Sequence, residues 1–264
     1  MTNVYLKLTA EFNHGRLRAV ICSGQAAVLH RVAIMSKDGD WILREDEESL
    51  GHILSVLESH GAEYRYGAPL DVRWLRSGWS SHFQFMDGAL RVRTDFFTRP
   101  PRVPPDRLAR LWSDLAGVEP AVVDVEMLAL MKMTNREKDY AVIGELARRM
   151  SDPGNRLLYS RSARDLLLLA HEHPELAVRL SEQRLLLGRL SQSLEDIEAD
   201  LDAERRTLMR ANERRLAIYE EAAAAWRMAW KPLAERVRGL PLRAVHEQIV
   251  DAAAGVLPQE VPIH

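Results

Sequence analysis

Apolar positions in the first 150 residues switch repeatedly between strand-like and helical spacing. Val20-Ile21-Cys22 is a short apolar run leading into a Ser23-Gly24 turn. Gln25 to Val32 reads as a helix with Ala26, Ala27, Leu29 and His30 partly buried. Asp38 to Leu43 alternates as a strand, and Glu47 to His60 has helical spacing through Leu50, Ile53, Leu54 and Leu57. Gly61 stands where a C-terminal cap is expected. Leu70 to Leu75 reads as another strand. Phe83-Gln84-Phe85 and Leu90-Arg91-Val92 flank Met86-Asp87-Gly88-Ala89, whose Asp-Gly pair marks a hairpin. Pro100, Pro101, Pro104 and Pro105 end the sheet. Helices are then expected over Asp106 to Ala116, Asp124 to Met133 and Glu137 to Met150. Strands interleaved with helices predict a mixed sheet flanked by helices.

Beyond residue 150 the pattern is helical only. Ser151 to Asn155 reads as a turn, Leu157 to His171 as one helix, and Pro174 as the start of the next. Leu180, Leu187, Leu194, Leu201 and Leu208 recur every seven residues, with Leu190, Ile197 and Ala211 three places after members of that series and Ile218 three after its next position, Arg215. This is a coiled-coil-like seam. A continuous helix over Glu175 to Lys231 would span about 85 Å at 1.5 Å per residue. The seam suits packing inside a helical bundle, a second copy, or a protein partner along 180–218. A last amphipathic helix, Leu242 to Ala254, precedes a proline-containing tail. The expected fold class is α+β: a mixed-sheet domain over 1–150 and an all-α module over 151–264.

Charge and cysteine content narrow the setting. The 264-residue chain carries a formal charge of −2, so no global basic field draws in nucleic acid and any such contact needs a local patch. Arg91, Arg93, Arg99 and Arg102, near Trp79, His82 and Phe83, form one basic and aromatic neighbourhood; the wet face of a strand is the favoured account of it. A single cysteine, Cys22, rules out an intrachain disulfide framework and suits a reducing cytosol. The start of the chain lacks a signal-peptide core, and no run of about 20 apolar residues exists. A cytoplasmic protein without a membrane span is expected. One cysteine and scattered histidines do not supply a zinc site.

Candidate chemistry lies in three acids. Asp38 and Asp40 flank a glycine on a strand, where period-two alternation points both carboxylates to one face. Asp95 ends an alternating run from Leu90 to Phe97. With a third carboxylate from a neighbouring strand, the set would make an oxygen cage for Mg²⁺, completed by waters and substrate phosphates. Such a cage serves phosphoryl or nucleotidyl transfer. A polar turn is the alternative for Lys37-Asp38-Gly39-Asp40. Asp71 is a second candidate for the third acid, with Asp95 favoured for its apolar flanks.

The order of Ser23-Gly24, a helix, Asp38-Gly39-Asp40 and Thr94-Asp95-Phe96 resembles the minimal nucleotidyltransferases of the polymerase β superfamily. Met131-Lys132-Met133-Thr134-Asn135-Arg136-Glu137-Lys138-Asp139 is similar to the lysine helix and Arg-x-Lys-Asp element of its AbiEii-type toxin and abortive-infection branch. The resemblance covers about residues 15 to 150, and the Ser-Gly order departs from the family's Gly-Ser or Gly-Gly. It implies catalysis by Asp38, Asp40, Asp95 and Lys132, and two Mg²⁺ ions on the three aspartates. It also implies nucleotide contacts from Ser23, Gly24, Lys132, Arg136 and Asp139. The implied reaction moves a nucleotide from an NTP to a hydroxyl acceptor, RNA or tRNA first and protein second, in a toxin or phage-defence setting. A catalytically inactive scaffold acting through its coiled coil is the alternative. A solvated charged helix is the competing account of Lys132 to Asp139.

Overall fold

The strand pattern around the acids is realised as a single sheet that turns one face to a helix. In the computed structural model, residues 3–190 and 192–261 are described; residues 262–264 of the expected tail lie outside them. Helix α1 (Val4–Phe12) opens the chain, capped by the Asn3 side chain, which accepts from the Tyr5 N–H. It was not anticipated from the sequence. Strand β1 (Ala19–Cys22) leads into α2 (Ser23–Leu29), and β2 (Gly39–Leu43) follows. Helix α3 (Glu47–Ser59) starts where Asp46 accepts from the Ser49 N–H and ends before Gly61, whose φ of +65° suits a residue without a side chain. Strand β3 (Glu63–Tyr64) is short.

The strand expected over Leu70 to Leu75 is instead a turn of helix, α4 (Val72–Leu75). Asp71 causes the change: its carboxylate accepts from the Arg73 N–H and pairs with the Arg73 guanidinium, capping α4. That role removes Asp71 as a candidate third acid. Strands β4 (Ser81–Asp87) and β5 (Leu90–Phe97) form the expected hairpin, and Gly88 supplies the positive φ, +60°, that its two-residue loop requires.

The five strands run in the order β1-β2-β5-β4-β3. All neighbours are antiparallel except β2 and β5, which are parallel. A parallel pair needs a crossover, supplied here by α3, β3, α4 and β4. Because side chains alternate, Trp41, Phe96 and Phe83 share the face that receives α1. Phe12 meets Trp41 edge-on with centroids 5.4 Å apart, Trp41 stacks on Phe96, and the Trp41 indole N–H donates to Thr9 Oγ1 at 2.9 Å.

Helix α5 (Pro105–Asp114) follows the proline cluster, then α6 (Val125–Met131) and α7 (Glu137–Ala147). The single helix expected over Leu157 to His171 is two, α8 (Pro153–Tyr159) and α9 (Ala163–Glu172), each with its own cap, Asp152 and Ser162. Those caps end the expected Ser151–Asn155 turn early. Helix α10 (Pro174–Leu180) begins at its proline as expected. The chain closes with α11 (Leu194–Ala222), α12 (Ala224–Arg236) and α13 (Leu242–Val256).

The expected long helix from Glu175 to Lys231 is therefore interrupted. A 3-10 turn, Leu185–Arg189, stands between α10 and α11. Arg184 explains the break: its buried guanidinium donates to the Leu157 carbonyl at 2.7 Å and pairs with Glu204, contacts that a straight helix would forgo. Leu180, Leu187 and Ile197 are buried in a core with Leu157, Leu166 and Leu169, so this stretch of the heptad packs inside the chain.

Packing divides the protein into two units, residues 1–28, 34–123 and 216–264 in one, and 29–33 and 124–215 in the other. The division differs from the one at residue 150 that composition suggests. Trp74 and Trp79 are the reason. They share a core with Trp226, Leu233, Ile249 and Leu257 of the C-terminal helices. Their indole N–H groups donate to the carbonyls of Leu257 and Pro258, and that of Trp226 donates to the Gly67 carbonyl, at 2.8–3.0 Å. Trp226→Ala should destabilise the protein by about 3–5 kcal/mol in urea unfolding. A loss below about 1 kcal/mol would show that α12 contributes little to the core of the sheet-bearing unit.

Candidate functional site

The parallel pairing of β2 with β5 sets Asp40 directly opposite Asp95. The antiparallel pairing of β5 with β4 sets Asp95 opposite His82, and β1 sets Cys22 opposite Asp40. Registered positions on adjacent strands share a face, so Asp40, Asp95 and His82 form a row on the face away from α1. Asp38, expected to open the strand, instead lies in the bend that leads into β2 at Gly39. Asp40 and Asp95 are thus set side by side in the interior of the sheet, with Asp38 just ahead of β2.

Electrostatics agree with that placement. Burial, then the charges of Asp38 and Asp40, push the Tyr5 phenol above its ordinary pKa, with Asp95 adding and Arg93 opposing. The Tyr5 hydroxyl donates to the Lys37 carbonyl at 2.8 Å, so the start of β2 is tied to α1.

The acids differ in their partners. Asp38 Oδ1 is buried and accepts no hydrogen bond, which is what an oxygen reserved for a cation would show. Asp95 Oδ1, by contrast, accepts from His82 Nδ1 at 2.7 Å and from the Arg65 guanidinium at 3.3 Å. Among the described residues, no group of three or more His, Cys, Asp or Glu side chains is arranged to hold a metal ion. A two-ion cage of three aspartates therefore does not fit this arrangement, because Asp95 Oδ1 is already taken by His82 and Arg65. The Asp38–Asp40 pair does fit the kind of Mg²⁺ site that uses one or two carboxylates and takes its remaining ligands from water and phosphate.

Ser23 and Gly24 follow Cys22 directly, at the end of β1 beside the acids. Ser23 holds a φ of +54°, an uncommon conformation for a residue with a side chain. Gly24 lies so close to Ser36 that any added Cβ would collide with the Ser36 side chain. Ser36 Oγ in turn donates to the Asp38 carbonyl at 3.0 Å, and the Gln25 amide reaches the carbonyls of Ser36 and Asp38. The small-residue turn and the acid-bearing strand are thus laced together.

Lys132, Arg136 and Asp139 belong to the other packing unit, 124–215, where they cluster with one another. Lys132 Nζ donates to Asp139 Oδ1 at 3.2 Å, and Arg136 Nε to Oδ2 at 2.8 Å. The Thr134 hydroxyl also donates to Oδ2 at 2.6 Å. Burial alone would raise the Asp139 pKa, but Thr134, Lys132 and Arg136 outweigh it and hold the carboxyl below its ordinary value.

The basic and aromatic neighbourhood is dispersed by the fold. Phe83 and Trp79 are buried and offer no stacking surface, and Arg99 is engaged by Glu45 through two hydrogen bonds. Two groups were missed by the sequence reading. Arg65 follows β3 with no motif to announce it. Ser80 stands two residues before His82, and the Ser-x-His spacing on a strand is a signal that could have been noticed.

No family model and no curated protein matches the chain. A solved structure from H. pylori, provisionally described as a nucleotidyltransferase, aligns over 80% of this chain and 96% of its own at 14% identity and a TM-score of 0.40. Among the described residues no helix is long and apolar enough to cross a membrane.

The depressed Asp139 carboxyl has a defined pH signature. A folded-state pKa below the unfolded value of about 3.9 adds stability that is fully present above that value and is lost as pH falls through the folded one. Asp139→Asn should therefore lower stability at pH 7 and flatten the acid limb of the stability profile below about pH 4. An unchanged profile in denaturant titrations between pH 2 and 7 would refute the pairing.

Proposed function

We propose that the chain is a nucleotidyltransferase whose working acids are Asp38 and Asp40. The observation that carries this reading is the register that sets Asp40 opposite Asp95, with the buried, unpartnered Oδ1 of Asp38 just ahead of β2. A buried carboxylate oxygen without a donor is costly unless a cation or substrate completes it. Mg²⁺ held by Asp38 and Asp40 would neutralise the phosphates of an NTP. Ser23 and Gly24 would lie against those phosphates by the same motif resemblance, the missing side chain of Gly24 leaving room for Ser36. Asp95, fixed by His82 and Arg65, would orient the groups around the acceptor hydroxyl. Lys132, Arg136 and Asp139 remain candidate nucleotide contacts by resemblance alone.

RNA or tRNA is the first acceptor class in this reading and a protein hydroxyl the second. Membership of the AbiEii-type branch and a toxin or phage-defence role rest on the motif resemblance. The seam residues that remain half-exposed on α11, Leu208 and Ile218, would be the place for a homodimer or a partner. The scaffold alternative is favoured by one observation, the engagement of Asp95 by its own neighbours.

Asp38→Asn separates the two. In an enzyme it should abolish transfer from labelled NTP to total cellular RNA or lysate protein, at least about 100-fold. It should leave thermal stability unchanged or raised, because Asp38 Oδ1 is buried without a donor in the folded chain. A Tm shift on adding Mg²⁺ with each NTP should also vanish in the variant. No shift with any nucleotide in the unmodified chain would favour the scaffold.

A further inference from the structure

Asp95 is not the end of its hydrogen-bond chain. His82 Nδ1 meets Asp95 Oδ1 at 2.7 Å, and His82 Nε2 meets Ser80 Oγ at 2.9 Å. An ionised carboxylate only accepts, so Nδ1 carries the proton and Nε2 is left to accept from the Ser80 hydroxyl. This connectivity is that of a serine nucleophile, its base and the acid that orients the base.

The arrangement is held from several sides. Ser80 and His82 sit two apart along the same strand direction, so their side chains share a face. The Ser80 carbonyl accepts from the Ala68 N–H at 2.9 Å, and the His82 carbonyl from the Arg65 N–H at 2.8 Å, which pins both backbones. Gly67 has no side chain, and a Cβ there would strike the His82 ring. Arg65 braces Asp95 from the other side. Ser80 is half-buried and the His82 side chain is 24% exposed, so a substrate can reach both. None of this is needed to fold a hairpin strand.

We infer that Ser80 is an activated nucleophile and that its own hydroxyl receives the nucleotide. This rests on the preceding reading, and it names the acceptor: the chain modifies itself at Ser80. In the step, Ser80 Oγ attacks the α-phosphorus of an NTP and its proton passes to His82 Nε2. The new bond is Oγ–P; the broken bond joins the α-phosphorus to the oxygen that leaves with pyrophosphate. Asp95 holds the ring and stabilises the imidazolium that forms. The Arg65 side chain beside Asp95 is 32% exposed, and a guanidinium suits phosphoryl oxygens, which favours a phosphorus centre over an acyl carbon. The product is a phosphodiester between Ser80 and a nucleoside monophosphate.

Two measurements test this. Incubation with Mg²⁺ and α-phosphate-labelled NTPs, followed by peptide mass spectrometry, should place one nucleoside monophosphate on the Ser80 peptide. Ser80→Ala should lose it, and His82→Ala should slow it by about 100-fold or more. A fluorophosphonate probe, which needs neither nucleotide nor metal, should label Ser80 with the same dependence on His82. Circular dichroism confirms that each variant is folded. A folded wild-type chain that ignores the probe, or full probe labelling in His82→Ala, overturns the activated serine. An NTP-dependent Tm shift with no label at Ser80 overturns the self-modification while leaving nucleotide binding in place. Absence of both the shift and any transfer removes the underlying reading as well.

Discussion

Two carboxylates set side by side in one sheet repel each other, and that repulsion governs the acid-bearing strands. Cross-strand neighbours of like charge destabilise a sheet unless something compensates them. Here Asp40 faces Asp95 across the parallel β2–β5 pair, and the compensation is asymmetric. Asp95 receives a guanidinium and an imidazole on one oxygen, whereas Asp38, in the bend before β2, keeps a buried oxygen with no donor at all. One acid is thereby made a fixed part of the protein, and another keeps an oxygen that no donor satisfies. Everything proposed for the site follows from this difference.

The parallel pairing also explains why so much structure surrounds so few residues. Antiparallel neighbours can be joined by a two-residue loop, as β4 and β5 are. A parallel pair cannot, so the chain leaves the end of β2, runs through α3, β3 and α4, and comes back along β4 and β5. That path delivers Arg65 and His82 to the far side of Asp95. The hairpin that carries the third acid therefore carries its restraints as well.

Local signals in the sequence read well where local chemistry decides. The Asp-Gly hairpin and the apolar stripe of α3, with Asp46 ahead of it and Gly61 behind, appear as expected. The failures share a cause, a side chain whose partner is remote in sequence or competes with the period. Asp71 turned a strand-like run into a capped helix by bonding to Arg73. Arg184 broke a leucine heptad because Leu157 and Glu204 offered more than a continued helix. The acids themselves were legible from spacing, but the attachment of Asp95 to Arg65, 30 residues earlier, was not. No periodic pattern encodes which charge a carboxylate will meet.

The indole contacts of Trp74 and Trp79 have a temporal meaning. Each reaches a carbonyl far ahead along the chain, 183 positions on for Trp74 and 179 for Trp79. During synthesis the acid-bearing strands precede residues 257 and 258, and Trp74 and Trp79 find cover only when these arrive. The helices between 124 and 215 draw on no later residue for their buried leucine core and can mature in the interval. Long-range closure of this kind is slow compared with local helix formation. The core of the sheet-bearing unit is thus complete only once α13 has been made, long after the strands that carry the acids.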